Sequence, residues 1–213
     1  MSAPTQIDDQ PIAATFFGEG KWLTDFVTPD ALEVQELHES LTKGLSNVED
    51  RLLACWEWVA EQVKYVSFVQ AKLSVNGKTA VQNDYWQEPS QTIRTKIGNC
   101  ANKAFLLASL ARQDLLPNQV NVVLGNLNQP PGAGGHAWVE VYYNSNSYIM
   151  ESTKSDMQPM VATRVADIYE PVMYFNDEVV SAIEGKTLLT PFTAVYADWL
   201  RDYLDFAYIE GRK

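Results

Sequence analysis

The stretch that most limits what this chain can fold into runs from Lys96 to Arg112, KIGNCANKAFLLASLAR. Gly98 is a natural break, Asn99 is a good N-cap, and almost every residue from Cys100 to Ala111 is apolar or small. A helix with no polar face needs protein packed on every side, so the rest of the chain must wrap this one. Cys100 falls in its first turn, where unpaired backbone N–H groups and the positive end of the helix dipole stabilise a thiolate, the nucleophilic form of cysteine. The competing reading of any single cysteine is a small buried hydrophobe, and the chain must supply partners before chemistry is the better account.

With 213 residues the chain is long enough to bury a substantial core as one domain without staples. Its two cysteines make no disulfide framework, and neither cysteines nor histidines fall in the close pairs of a zinc site. The N-terminus, MSAPTQIDDQPIAA, has neither the basic start nor the apolar centre of a signal peptide, and no later run of about 18 apolar residues occurs. A formal charge of −11 argues against nucleic acid and against anionic membranes, which both demand a basic footprint. The expectation is a cytoplasmic protein with no membrane and no nucleic-acid partner.

In order, residues 1 to about 15 read as an irregular arm. TPDALEVQELHESLTK, from Thr28 to Lys43, reads as a helix started at Thr28-Pro29, with Leu32, Leu37 and Leu41 on its apolar side and His38 among polar neighbours on a solvated face. Asn47 to about Tyr65 is a stronger helix, in which Val48, Leu52, Trp56, Val59 and Val63 recur at steps of three and four and Cys55 fills core. Val66 to Ile97 reads as mostly irregular, with a turn at Asn76-Gly77, a break at Pro89, and Asp84 to Gln87 as one wall of a cleft. QVNVVLG, HAWVEVYY and SYIMEST are strands, the last two joined by an Asn/Ser turn. A loop from Asp156 to Pro159, a mixed segment VATRVADIYEPVMYF and an amphipathic helix from about Thr193 to Ile209 complete the chain. Helices followed by antiparallel strands, without βαβ alternation, give an α+β fold with the Cys100 helix packed on the sheet. The expected division is an arm and helix over 1–45, a core over 46–155 and an extension over 156–213 that packs on it.

A thiolate needs a base to take and return its proton, and of the two histidines His136 is the candidate, because it opens a strand directly after a Gly-rich loop. A third group should accept the other imidazole N–H. If Tyr143 pairs with Asn146 across a two-residue turn, Trp138 faces Glu151, and Glu151 becomes the same-face diagonal neighbour of His136. A slip of one residue would put the carboxylate on the other face. Asp156 is the fallback.

These residues resemble the transglutaminase-like superfamily of papain-like cysteine enzymes. The resemblance rests on G-N-C before a buried helix (Gly98 to Leu110), on G-H-A-W-V-E-V (Gly135 to Val141) and on E-S-T (Glu151 to Thr153), with WVAEQVKY and DYWQEPSQT similar to the lead-in of bacterial transglutaminase-like cysteine peptidases. It implies a papain-like, transglutaminase-like core in which Cys100 is the nucleophile, His136 the base, and Glu151 stands where an aspartate is usual. Asn99 departs from the usual G-D-C, and Ala101 and Asn102 from the acids that often follow. The implied chemistry is acyl transfer, with the oxyanion held by the Cys100 N–H and a side-chain donor for which Gln87, Gln91 and Trp86 are candidates. It makes the expected function a cysteine peptidase or amidase acting on a protein or peptide substrate, with no cofactor and no metal. The alternatives are a protein-glutamine transglutaminase and a non-catalytic module that binds peptides or serves an assembly.

Overall fold

In a computed structural model, residues 3–7, 22–67, 69, 71–75, 78–82, 85–130 and 132–189 are described. The expected helix at 193–209, Asp84, the Asn76-Gly77 turn and most of the arm lie outside them. Two helices precede the central one. The first, α1 (Leu32–Thr42), begins four residues after Thr28, with Ala31 at its N-cap. Its buried contact is Val34, while Leu32 is exposed. The second, α2 (Val48–Gln62), is capped by Asn47, whose side chain accepts from the Asp50 amide at 2.7 Å, and it buries Leu52, Cys55, Trp56 and Val59 as its spacing requires.

Between Val66 and Ile97 the chain is more regular than its weak pattern suggests. After a short strand β2 (Lys64–Tyr65) come β3 (Ala71–Val75) and β4 (Lys78–Gln82), an antiparallel hairpin whose register ends at Val75 opposite Lys78. Pro89 begins the helix α3 (Pro89–Thr95), where its fixed φ is useful and its missing N–H costs nothing. The strand β5 (Ile97–Gly98), parallel to β2, then leads directly into α4 (Cys100–Ala111).

All of α4 is buried. Phe105, Leu106, Leu107 and Leu110 are fully enclosed, each contributing about 2 kcal/mol by leaving water. Its polar side chains are all accounted for. Asn99 and Asn102 form a reciprocal capping box, each side-chain oxygen accepting the other's amide at 3.1 Å. The Ser109 hydroxyl donates to the Phe105 carbonyl at 2.8 Å and accepts from the Thr28 amide at 2.9 Å. The Lys103 ammonium donates to two carbonyls of the α2 terminus.

The sheet on which α4 lies is wholly antiparallel. It is built from β1 (Thr5–Ile7), β6 (Val120–Leu127), β7 (Gly134–Tyr143), β8 (Asn146–Met150), β9 (Met160–Val161), β10 (Tyr169–Phe175) and β11 (Val180–Ala182), in the order β1-β11-β10-β6-β7-β8-β9. Both faces are covered. Val122, Leu124, Val139 and Val141 pack with the helices, whereas Val123, Trp138 and Ile149 pack under Met157, Met160, Val165, Ile168 and Tyr169. The β7–β8 hairpin has the even register, Tyr143 opposite Asn146, with Asn144 and Ser145 at φ 48° and 64° in the left-handed conformation that a tight two-residue turn demands. Thus the fold is α+β, with the Cys100 helix against an antiparallel sheet.

The sheet takes strands from both sides of residue 155, since β10 lies beside β6 at its centre, and Thr5–Ile7 is its edge strand. One further feature differs from the sequence reading. His38 does not face solvent: its Nε2 is 2.8 Å from Asp114 Oδ2, whose other oxygen takes Arg51 at 2.8 Å. This polar knot joins α1 and α2 to the residues just after α4, a long-range contact that helical periodicity does not reveal.

Candidate active site

Cys100, His136 and Glu151 are fully buried and adjacent. Asn99 fixes the start of α4, so Cys100 takes the first helical position, where its amide has no intrahelical acceptor. His136 lies at the beginning of β7, opposite Gly125 of β6. Continuing the hairpin register by one residue beyond Met150 sets Glu151 against Trp138, and its side chain crosses to the imidazole, with His136 Nε2 at 2.8 Å from Glu151 Oε2. With that nitrogen engaged, Nδ1 is the ring atom left to face the Cys100 thiol, which is hydrogen-bonded to the imidazole.

The electrostatics follow from this geometry. Burial opposes a charged imidazole, but the Glu151 carboxylate and the Cys100 sulfur outweigh it and push the His136 pKa up to about 10. Burial likewise opposes ionised Glu151, and the imidazole together with Thr153 holds its pKa below the ordinary 4.5. The carboxylate has four donors around it. Oε1 accepts from the Thr153 amide at 2.8 Å and its hydroxyl at 2.6 Å, and Oε2 accepts from His136 and from the Tyr169 hydroxyl at 3.1 Å. The Trp56 indole donates to the Glu151 backbone carbonyl at 2.6 Å, tying α2 to the same residue. Cys55, by contrast, is pushed up to about 12, chiefly by burial and then by the nearby Asp114 carboxylate, so its thiol is protonated at neutral pH.

Three members of this arrangement escaped the sequence reading. Tyr169 comes from β10, 18 residues beyond Glu151 in the chain, and no local pattern marks it. Trp56 is legible only as a core residue of α2. Thr153 did carry a signal, because a hydroxyl two residues after a carboxylate readily bonds back to it. The proposed oxyanion donors are placed as follows. Gln87 is buried, with its amide donating to the Ile97 carbonyl at 2.7 Å and accepting from the Thr95 hydroxyl at 3.0 Å, so it braces the strand that leads into Cys100. The carbonyl of Gln91 accepts the Glu88 amide at 3.0 Å within the α3 cap. Trp86 packs edge-on against Phe26 and Phe105. Asp156, the fallback orienter, forms part of the turn after Thr153, while Glu151 holds the imidazole. Among the described residues no group of three or more His, Cys, Asp or Glu side chains is arranged to hold a metal ion, and no helix is long and apolar enough to cross a membrane.

A cysteine at a helix start, a strand-borne histidine and a carboxylate one residue past the neighbouring strand meet in a papain-like arrangement. A sequence profile of the transglutaminase-like superfamily matches residues 35–150, more than half of the chain, and the chain belongs to that superfamily. The match includes Cys100 and His136 and stops one residue before Glu151. Among solved structures, Legionella pneumophila LapG is similar in fold, with a TM-score of 0.52 at 18% identity over 82% of this chain and 86% of that one. EGTA-treated LapG gives a TM-score of 0.51 at the same identity and coverage. The UPF0252 protein MJ1282 of Methanocaldococcus jannaschii is 26% identical over 136 residues, 62% of this chain but only 38% of that protein, so the match spans little more than a third of its length.

Proposed function

We propose that this protein is a thiol-dependent acyl-transfer enzyme, a cysteine peptidase or amidase in which Cys100, His136 and Glu151 act as a triad on a protein or peptide amide. The observation that carries the reading is the buried 2.8 Å contact between His136 and Glu151, which leaves the second imidazole nitrogen to the Cys100 thiol. In this reaction His136 Nδ1 takes the thiol proton, and the thiolate attacks the amide carbonyl carbon. The oxyanion so formed is held by the Cys100 N–H at the helix start, with a side-chain donor beside it. Collapse breaks the C–N bond while His136 returns its proton to the departing amine, leaving a thioester on Cys100. His136 then deprotonates a water that attacks the thioester, and the thiol is released with the acid. A primary amine in place of that water would give the transglutaminase outcome.

A small alkylating probe tests the reading. At about pH 6 to 7, where an ordinary thiol is protonated, Cys100 is expected to be labelled far faster than Cys55, and Cys100→Ser is expected to lose cleavage of a denatured-protein substrate. Equal, slow labelling of both cysteines would support the non-catalytic module instead. Incorporation of an added amine into the substrate would shift the assignment from hydrolysis to cross-linking.

A further inference from the structure

Lys103 lies one turn after Cys100 on α4 and is 1% exposed. Its ammonium donates to the carbonyls of Ala60 at 3.1 Å and Val63 at 2.7 Å, at the end of α2, where unpaired carbonyls and the negative end of the dipole favour a cation. A methionine would fill similar space without the desolvation that burying a charge entails, and that desolvation is the chief cause that draws the lysine down to about 8. The attraction of the Glu151 carboxylate works the other way and favours its charged form. So the same ammonium is bonded to the end of α2 and is attracted by the Glu151 carboxylate.

We propose that Lys103 is a positioning residue for the triad: it pins the start of α4 to the end of α2, and as the second cation of the buried cluster it favours the thiolate of Cys100. The proposal rests on the acyl-transfer reading. The groups that bear on Lys103 and Cys100 come from several elements. From α4 come Cys100 and Lys103, from β7 His136, from the end of β8 Glu151, and from β10 Tyr169, whose phenol is hydrogen-bonded to Glu151 and held neutral by burial. From α2 comes Cys55, protonated at neutral pH. Glu140, farther along β7, is engaged with Ser147 and Tyr174; α3 offers Arg94, paired with Glu33, and the His38, Asp114 and Arg51 knot lies beyond the opposite end of α4. With Lys103 charged, the ion-paired triad balances two cations against two anions. Without it, the same ion-paired state sets two anions against the one imidazolium, and a low-dielectric site disfavours the uncompensated charge.

Lys103→Met removes both the charge and the bonds to α2, and Lys103→Gln removes the charge while keeping an N–H donor. In the full chain, thiolate formation at Cys100 is followed by its ultraviolet absorbance against the matching Cys100→Ser protein, and by the pH profile of alkylation. Both variants are expected to raise the midpoint by about one pH unit, which leaves roughly tenfold less thiolate at pH values below the native midpoint. A folded variant with an unmoved midpoint overturns the role of Lys103, since a purely structural strut would change only the melting temperature. A native chain whose Cys100 titrates like an ordinary thiol overturns the acyl-transfer reading and this proposal together. Should neither variant fold, the native chain carries the test: linkage requires that Cys100→Ser lower the NMR titration midpoint of Lys103, and an unchanged midpoint refutes the coupling.

Discussion

Replacing Glu151 by Gln is the most informative single perturbation, because the carboxylate accepts from four donors and offers none. An amide in its place has one oxygen and one NH₂. If the NH₂ turns toward Thr153, it confronts a fixed backbone N–H, and one buried donor is left unpaired at a cost of about 1–3 kcal/mol. If it turns toward His136, the imidazole must accept at Nε2 and therefore carry its proton on Nδ1, the atom that in the proposed mechanism receives the proton of Cys100. Either arrangement also removes the buried negative charge that raises the His136 pKa. With about 2 kcal/mol lost, the melting temperature is expected to fall by about 4–8 °C at pH 6. The tautomer trap is expected to lower kcat by about 10³- to 10⁴-fold with little change in KM.

The pH dependence has a definite sign. His136 has a folded pKa of about 10, above the ordinary 6.5, so its contribution is full below 6.5 and is lost as pH rises toward 10. Glu151 has a folded pKa below 4.5, so its contribution is present above 4.5 and is lost as pH falls through the lower folded value. The stability difference between wild type and Glu151→Gln should therefore be widest between pH 4.5 and 6.5, read by thermal melts across pH. A folded Glu151→Gln protein that keeps half of the wild-type cleavage rate, or a difference that grows toward pH 9, would refute the reasoning.

Two further outcomes follow from contacts that the sequence did not advertise. Tyr169→Phe deletes the hydroxyl that shares Glu151 Oε2 with His136, and is expected to slow cleavage about tenfold and lower stability by about 1–2 kcal/mol, measured by kinetics and denaturant unfolding; an unaffected rate would make Tyr169 mere packing. Gly125→Ala would drive a methyl group into the Glu170 carbonyl and the Trp138 ring, and the carbonyl belongs to a neighbouring strand that cannot yield alone. A loss of about 3 kcal/mol or more is expected on chemical denaturation, and a change under about 1 kcal/mol would show that β6 and β10 can separate at little cost.

Much of the site was legible before any coordinates because its parts obey local rules. Asn99 caps, Cys100 follows a cap, and the all-apolar run after it leaves no choice but burial. The period of two in β7 and β8, together with the even turn at Asn144 and Ser145, was enough to put Glu151 on the face of His136. Weak periodicity hid the β3–β4 hairpin, and the polar neighbours of His38 masked a partner, Asp114, that lies 76 residues away.

By itself, then, the amino-acid order determined the helix that carries the thiol, the strand that carries the imidazole, and the register that brings in the carboxylate, since each depends on steric and hydrogen-bonding preferences of residues near one another in the chain. Only the tertiary structure decided what surrounds them: Tyr169 and Thr153 on the carboxylate, Trp56 on its backbone, and Lys103 between α4 and α2. Apart from Thr153, those partners come from elements far from Glu151 in sequence or bridge separate helices, and burial makes their hydrogen bonds obligatory once the fold has brought them together, which no local pattern records.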